Sequence, residues 1–216
     1  MIYLIITTSI IDKAYNKSGQ QRNKTYMEAI RQTLQLLPSD IQPIIVENNN
    51  NTESFLDNFT HFEKKVPVHY TNNNEIKYDH KGKNELLDIK SVIETYNIQE
   101  DDMIIKITGR YYPLNDDFFY KVIDETEMYD VFIKFYNVCT FKYVENDCVL
   151  GLYAMKCKYV KNFYYEEYDD SINERKSPEV QFATYIREKI EKERICEVDC
   201  LFLRCCFAEY LRMLDV

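Results

Sequence analysis

Apolar residues along this chain follow two rhythms that take turns. Residues 2–8, IYLIITT, form a continuous apolar run closing on two threonines, the pattern of a strand buried on both faces of a parallel sheet. A polar loop over 12–23 follows. Met27, Ile30, Leu34 and Leu37 then recur at helical spacing and predict a helix over 24–37, stopped by Pro38 and Ser39. IQPIIVE is a second strand closing on Glu47, with a run of asparagines, 48–51, behind it. Residues 52–62 read as a short helix capped by Thr52, with Phe55, Leu56 and Phe59 on one face. VPVHY is a third strand, followed by a second asparagine run, 72–74. Residues 83–96 carry Leu86, Leu87, Ile89, Val92 and Ile93 as the apolar stripe of a helix, and MIIKIT is a fourth strand.

Strand and helix thus alternate from residue 2 to residue 108, which calls for an α/β domain with right-handed crossovers and a mainly parallel central sheet flanked by helices. The second half changes character. It reads as a short helix over 114–123, a strand YDVFIKFYN, two strands within 139–158 joined by a turn at 145–147, a helix over 178–193 with Pro178 in its first turn, and a closing strand or strand–helix junction, CEVDCLFLRCCF. No repeat or linker divides the 216 residues, so the expectation is one domain, 1–216.

Composition narrows the chemistry. A net charge of −9 without a basic stretch excludes a nucleic-acid polymer as partner, because that binding needs a positive footprint. There are only four glycines, so neither GxGxxG nor GxxxxGK[ST] can be written, and a dinucleotide site and a P-loop are both excluded. No apolar run reaches the roughly 20 residues of a membrane helix, and the first residues read as a strand rather than a signal peptide. The seven cysteines sit largely in apolar runs and fit no zinc spacing, which points to buried, reduced thiols and a cytoplasmic setting. The asparagine runs read as filler of exposed loops.

In open parallel sheets ligands bind beyond the carboxyl ends of the strands. Here those ends are Thr7-Thr8, Glu47-Asn48, Tyr70-Thr71-Asn72 and Thr108-Gly109-Arg110, a polar rim on an apolar sheet. Strand alternation puts Lys106, Thr108 and Arg110 on one face, where two cations and a hydroxyl would suit a phosphate or diphosphate. The same residues also suit a stripe of salt bridges. A second cationic turn, His80-Lys81-Gly82-Lys83-Asn84, opens a helix, whose N-terminus favours an anion. Several of the nineteen tyrosines, clustered in FYYEEYD, are suited to stacking on sugar faces.

The threonine-ended first strand, IIVENNN, the Lys-Gly-x-Asn turn and above all KITGRYY resemble the nucleotide-sugar glycosyltransferases of GT-A fold, nearest a bacterial and large-DNA-virus group with K-[IL]-[ST]-G-R-Y at this place. The resemblance covers residues 1–125 in order. It implies a GT-A-like sheet, a donor half over 1–112 and an acceptor half over 113–216. It also implies Thr7 and Thr8 beside the nucleotide, Glu47 on its base or ribose, Lys81 and Asn84 near base or diphosphate, and Lys106 and Thr108 in the donor site. The partners implied are a nucleoside-diphosphate sugar and a glycan or glycoprotein acceptor.

Most members of the fold carry Asp-x-Asp where this chain has Thr108-Gly109-Arg110. Mn²⁺ or Mg²⁺ is therefore not favoured, no other cofactor is called for, and Arg110 is expected to stabilise the leaving diphosphate. Glu179, opening the late helix, is the expected base for the acceptor hydroxyl, with Asp147 and Asp170 as runners-up. Two other readings stay open: a non-catalytic carbohydrate- or protein-binding module on a degenerate fold, and a sugar nucleotidyltransferase, for which residues 7–19 lack the glycine-rich loop.

Overall fold

A computed structural model describes residues 1–11, 19–75, 81–135, 147–166, 177–206 and 213–216. In chain order its elements are β1 (Ile2–Thr8), α1 (Gly19–Leu36), β2 (Ile41–Glu47), β3 (Thr60–His61), β4 (Lys64–Lys65), β5 (Val68–Tyr70), α2 (Lys81–Thr95), β6 (Met103–Thr108), β7 (Tyr112–Pro113), α3 (Asp117–Glu125), β8 (Val131–Ile133), β9 (Leu152–Lys156), α4 (Cys157–Asn162), α5 (Pro178–Lys189), β10 (Ile195–Glu197), β11 (Leu203–Cys206) and β12 (Met213–Asp215). Seven strands make the central sheet, in the order β10-β8-β9-β6-β1-β2-β5. The four from the first half are parallel; β9 runs antiparallel to both β6 and β8, so the sheet is mixed and mainly parallel.

The apolar runs do what two-sided burial requires. Leu4 and Ile6 of β1 face α1, where they join Tyr26, Ile30 and Leu34. Tyr3 and Ile5 face α2, where they meet Leu86, Ile89, Val92 and Ile93. Leu4, Ile5 and Ile6 are fully buried, and each such side chain contributes about 1.5–3 kcal/mol of transfer free energy. The chain leaves β1 toward β2 and β5 by way of α1, then returns through α2 to β6 on the other side of β1. The strand order therefore reverses between β1 and β6, and ligand crevices form at such reversals.

Several expected elements differ. Over 52–62 the helix is replaced by a single 3-10 turn, Phe55–Asn58, and the hairpin β3–β4. Ser54, not Thr52, is the cap: its hydroxyl accepts from Leu56 N, while Asp57 accepts from Ser54 N, and such local side-chain bonds compete with a longer helix. The helix expected over 114–123 starts only at Asp117, because β7 pairs with β11 and Leu114 N donates to Phe202 O at 2.6 Å. The cysteine-rich closing segment is two strands, β10 in the large sheet and β11 in a small one with β7 and β12. Of the two strands expected within 139–158, the first, ahead of the turn at 145–147, lies outside the described residues. Cys148, Cys157, Cys196, Cys205 and Cys206 are buried as expected, whereas Cys200 is exposed. No described helix is long and apolar enough to cross a membrane.

Candidate active site

The reversal point divides the polar rim into two clusters, one on each face of the sheet. On the α2 face Glu85, one helical turn into α2, bridges the ends of the two central strands. Its Oε1 accepts from Thr7 Oγ1 at 2.5 Å and from Thr108 Oγ1 at 3.4 Å, and its Oε2 pairs with Lys106 Nζ at 2.8 Å. Thr7 and Thr108 are register partners, which is why one carboxylate reaches both. Lys106 is 1% exposed, and its ammonium also donates to Thr108 Oγ1 at 2.9 Å and to Leu150 O at 2.7 Å. All three of its protons are used within the protein.

Arg110 does not share that face, which corrects the alternation reading. After Thr108 the chain folds back, with Tyr111 N donating to Thr108 O at 2.7 Å, and the guanidinium emerges on the α1 side. There Nη1 donates to Cys206 O at 3.1 Å and the group lies beside Tyr26 and Tyr111. Burial opposes its charge, but Tyr26 and Tyr111 outweigh that and raise its pKa further. Nε is buried without a hydrogen-bond partner, and a buried donor left unsatisfied costs about 1–3 kcal/mol. Gly109 is required for close approach, not for a left-handed backbone, since no glycine here has positive φ. A Cβ on it would lie 2.9 Å from both Thr7 O and Thr8 Cγ2.

Thr8 and Glu47, also register partners, belong to the α1 face. Glu47 is fully buried; its carboxylate accepts from Thr8 Oγ1 at 2.5 Å, from Ile10 N at 3.2 Å and from Asn49 Nδ2. Burial raises its pKa despite those bonds. Asn49 Oδ1 in turn accepts from Asn74 Nδ2 at 2.6 Å.

Asn48, Asn49, Asn73 and Asn74 are not loop filler, whereas Asn50 and Asn72 are exposed as expected. Asn48 and Asn49 are each 7% exposed. Asn48 Nδ2 at 2.8 Å, Asn73 Nδ2 at 2.7 Å and Thr71 Oγ1 at 2.7 Å all donate to the buried carboxylate of Asp88. Burial pushes Asp88 up to about 6, against the pull of those three donors. The ends of β2 and β5 are thereby tied to α2.

Two helix starts meet at the same edge. A Cβ on Gly82 would lie 3.1 Å from Pro178 Cβ and 3.5 Å from Tyr165 Oη. This glycine thus lets α2 and α5 approach. Ser177 caps α5 by accepting from Val180 N, and Glu179 follows in its first turn. Desolvation raises the Glu179 pKa, the charge of Asp147 adds to the rise, and Lys106 opposes it. Glu179 thus feels the charges of Asp147 and of Lys106, the lysine that pairs with Glu85. Asn84 is 8% exposed with Oδ1 unpartnered. His80, the Lys81 side chain and Asp170 lie outside the described residues. In FYYEEYD, Phe163 and Tyr165 pack edge to face at 4.7 Å, and Tyr164 lies over Lys90 Nζ at 3.2 Å.

The end of β6 does not fit a divalent ion: Thr108, Gly109 and Arg110 supply no carboxylate, and among the described residues no group of three or more His, Cys, Asp or Glu could hold a metal. Asp102 is engaged at the far end of β6, accepting from Gln99 N at 2.9 Å. The residues that sequence reasoning missed are Glu85, Asp88 and Tyr26. The first two carried a usable signal: with Lys81 and Asn84 they recur at helical spacing as a polar stripe on a helix whose remaining inner face is apolar.

No family model and no curated protein matches the chain. Solved structures do share its fold. Mouse xyloside xylosyltransferase 1, in its apo form, superposes with a TM-score of 0.53 at 12% identity over 92% of this chain and 85% of its own. The galactosyltransferase LgtC, in complex with donor and acceptor sugar analogs, gives 0.53 at 7% identity, covering 91% and 73%. A provisionally named glucose-1-phosphate thymidylyltransferase from Bacillus anthracis gives 0.54 at 13%, covering 92% and 86%. The fold is GT-A-like.

Proposed function

We propose that this protein is a glycosyltransferase that moves a sugar from a nucleoside-diphosphate donor to a hydroxyl of a glycan or glycoprotein, with Arg110 in place of a metal ion. The observation that carries this reading is the Arg110 guanidinium at the reversal point, with Nε buried and unpartnered. A fixed cation whose hydrogen-bonding capacity is not exhausted suits the charge that develops on a departing diphosphate. As the bond from the anomeric carbon to the phosphate oxygen breaks, its electron pair stays on the diphosphate, and Arg110 stabilises that charge.

In an inverting transfer Glu179 takes the proton of the attacking hydroxyl. Its raised pKa favours that role, because a base is most effective when its pKa approaches the working pH. Thr7, Thr8, Glu47, Lys81, Asn84, Lys106 and Thr108 make up the donor half of the site. Within it, Lys106 acts through Glu85, and Glu47 acts through Asn49.

A sugar nucleotidyltransferase is the second reading, since one of the structural neighbours bears such a name. That chemistry releases pyrophosphate from a nucleoside triphosphate. The single glycine within 9–23 is Gly19, which leaves little with which to cradle a triphosphate.

Thermal unfolding with UDP-, GDP- and dTDP-sugars, each with Mn²⁺ and with EDTA, tests the proposal. One donor should raise Tm in EDTA, and Arg110→Ala should abolish that rise. A shift that EDTA removes and Mn²⁺ restores would overturn the arginine mechanism. No shift with any donor would favour a non-catalytic binding module. A shift with nucleoside triphosphates alone would favour the nucleotidyltransferase.

A further inference from the structure

On the α1 face of the reversal point two hydrogen-bond donors lie side by side with nothing to donate to. The first is the hydroxyl of Tyr26, a residue of α1 that is 2% exposed. Its Oη accepts from Ser9 N at 3.1 Å and from Arg22 Nη2 at 3.4 Å. Both bonds bring a proton to the oxygen, and neither takes the one that the phenol itself carries. Among the described residues nothing accepts that proton. The second donor is Arg110, which lies against the same hydroxyl. Its Nη1 is used on Cys206 O at 3.1 Å, whereas its Nε is buried without an acceptor.

Arg22 is not part of this reserve: its Nε donates to Ser9 O at 2.7 Å, and the side chain is engaged further. Glu28 lies near enough for its charge to act on the Cys206 thiol, yet it forms no ion pair with Arg110 among the described contacts. The acceptor side of the Tyr26 hydroxyl is structural, since it satisfies Ser9 N at the end of β1. Its donor side has no structural use, and a buried donor is stabilised by whatever brings it an acceptor.

We infer that Tyr26 is a further diphosphate-binding residue, donating its phenol proton to a phosphoryl oxygen of the group that Arg110 Nε holds. The inference rests on the proposed function and deepens the diphosphate end of that site. A ligand that satisfies both donors has to accept twice and offer a proton to neither. Ionised phosphoryl oxygens do so, and hydrogen bonds to them are the stronger kind. The Tyr26 bond strengthens as charge builds on the departing diphosphate, so it favours the step in which the electron pair stays on phosphate.

Calorimetric titration in EDTA separates the two sides of the hydroxyl, using inorganic pyrophosphate, then UDP, GDP and dTDP, then uridine, guanosine and thymidine. Tyr26→Phe keeps the ring and should weaken pyrophosphate, and the nucleoside diphosphate that binds, about tenfold. Affinity for the matching nucleoside should be unchanged. Fluorotyrosine incorporated at position 26 reads the contact with the hydroxyl still present: its fluorine resonance should move on adding pyrophosphate and stay in place in an Arg110→Ala background. Unchanged diphosphate affinity in Tyr26→Phe, or a resonance that neither pyrophosphate nor the bound diphosphate moves, overturns the role of Tyr26 and leaves the proposed function standing. Equal weakening of nucleoside and diphosphate marks a purely structural residue and overturns it too. If none of the three nucleoside diphosphates binds the wild type, the proposed function falls. Pyrophosphate binding that depends on Tyr26 then leaves the anion site standing alone, and its absence removes both.

Discussion

Lys106 and Arg110 are four residues apart at the same strand end, yet the protein treats them oppositely. On the α2 face Lys106 is buried and saturated, its charge answered by Glu85. On the α1 face Arg110 has a carbonyl and two phenol rings for company, no carboxylate partner among its described contacts, and one buried nitrogen without an acceptor. The first arrangement is what a cation looks like when it helps hold a fold together. The second is what one looks like when part of its coordination is left for something else.

That contrast predicts separable consequences. Lys106→Met should cost the most stability, about 3 kcal/mol, because it leaves Glu85 and the Leu150 carbonyl without their cation; for a chain of this size that is roughly 6–12 °C in Tm. Gly109→Ala should cost about 2 kcal/mol, since the new methyl meets the Thr7 carbonyl oxygen and Thr8 Cγ2 at 2.9 Å. Both are read by thermal or denaturant unfolding.

Next in size is a pH effect from Asp88. Its folded pKa is raised to about 6 from 3.8, so the folded state holds a proton that the unfolded state has lost between those values. The resulting stability is fully present below the unfolded value and is lost as pH rises through the folded one. Lowering pH from 7.5 to 5.5 should therefore add about 1 kcal/mol to unfolding free energy. Asp88→Asn should flatten that slope. Glu47 and Glu179, also raised, contribute with the same sign and leave a residual slope in the variant.

The smallest stability effect belongs to Arg110→Ala, about 1 kcal/mol, because the bond to the Cys206 carbonyl and the contacts with Tyr26 and Tyr111 are lost together with an unpaired buried donor. A loss as large as that of Lys106→Met would erase the distinction between the two faces.

The sequence carried the fold's central strands to the residue: β1, β2 and β6 end where their apolar runs end, because two-sided burial demands uninterrupted hydrophobicity. It also named Glu179 and Asp147 as alternatives for one role, and the charge of Asp147 acts on Glu179. The rest was hidden for identifiable reasons. Alternation failed at Arg110 because it holds only while the strand lasts, and the turn at Thr108–Tyr111 cancels it. Glu85 escaped notice because an acidic residue near a helix start has a sufficient local explanation in the helix dipole. The helix over 52–62 was lost to Ser54 and Asp57, whose side-chain bonds close a single turn.

The asparagine run at 48–51 has one more consequence. Asn48 binds Asp88, Asn49 binds Glu47, and Asn50 takes φ of 59°, a left-handed backbone that asparagine tolerates better than most residues. Because the tract is uniform, an asparagine gained or exchanged within it still leaves asparagine at all three positions, so the contacts that close the strand end do not depend on which copy fills each place.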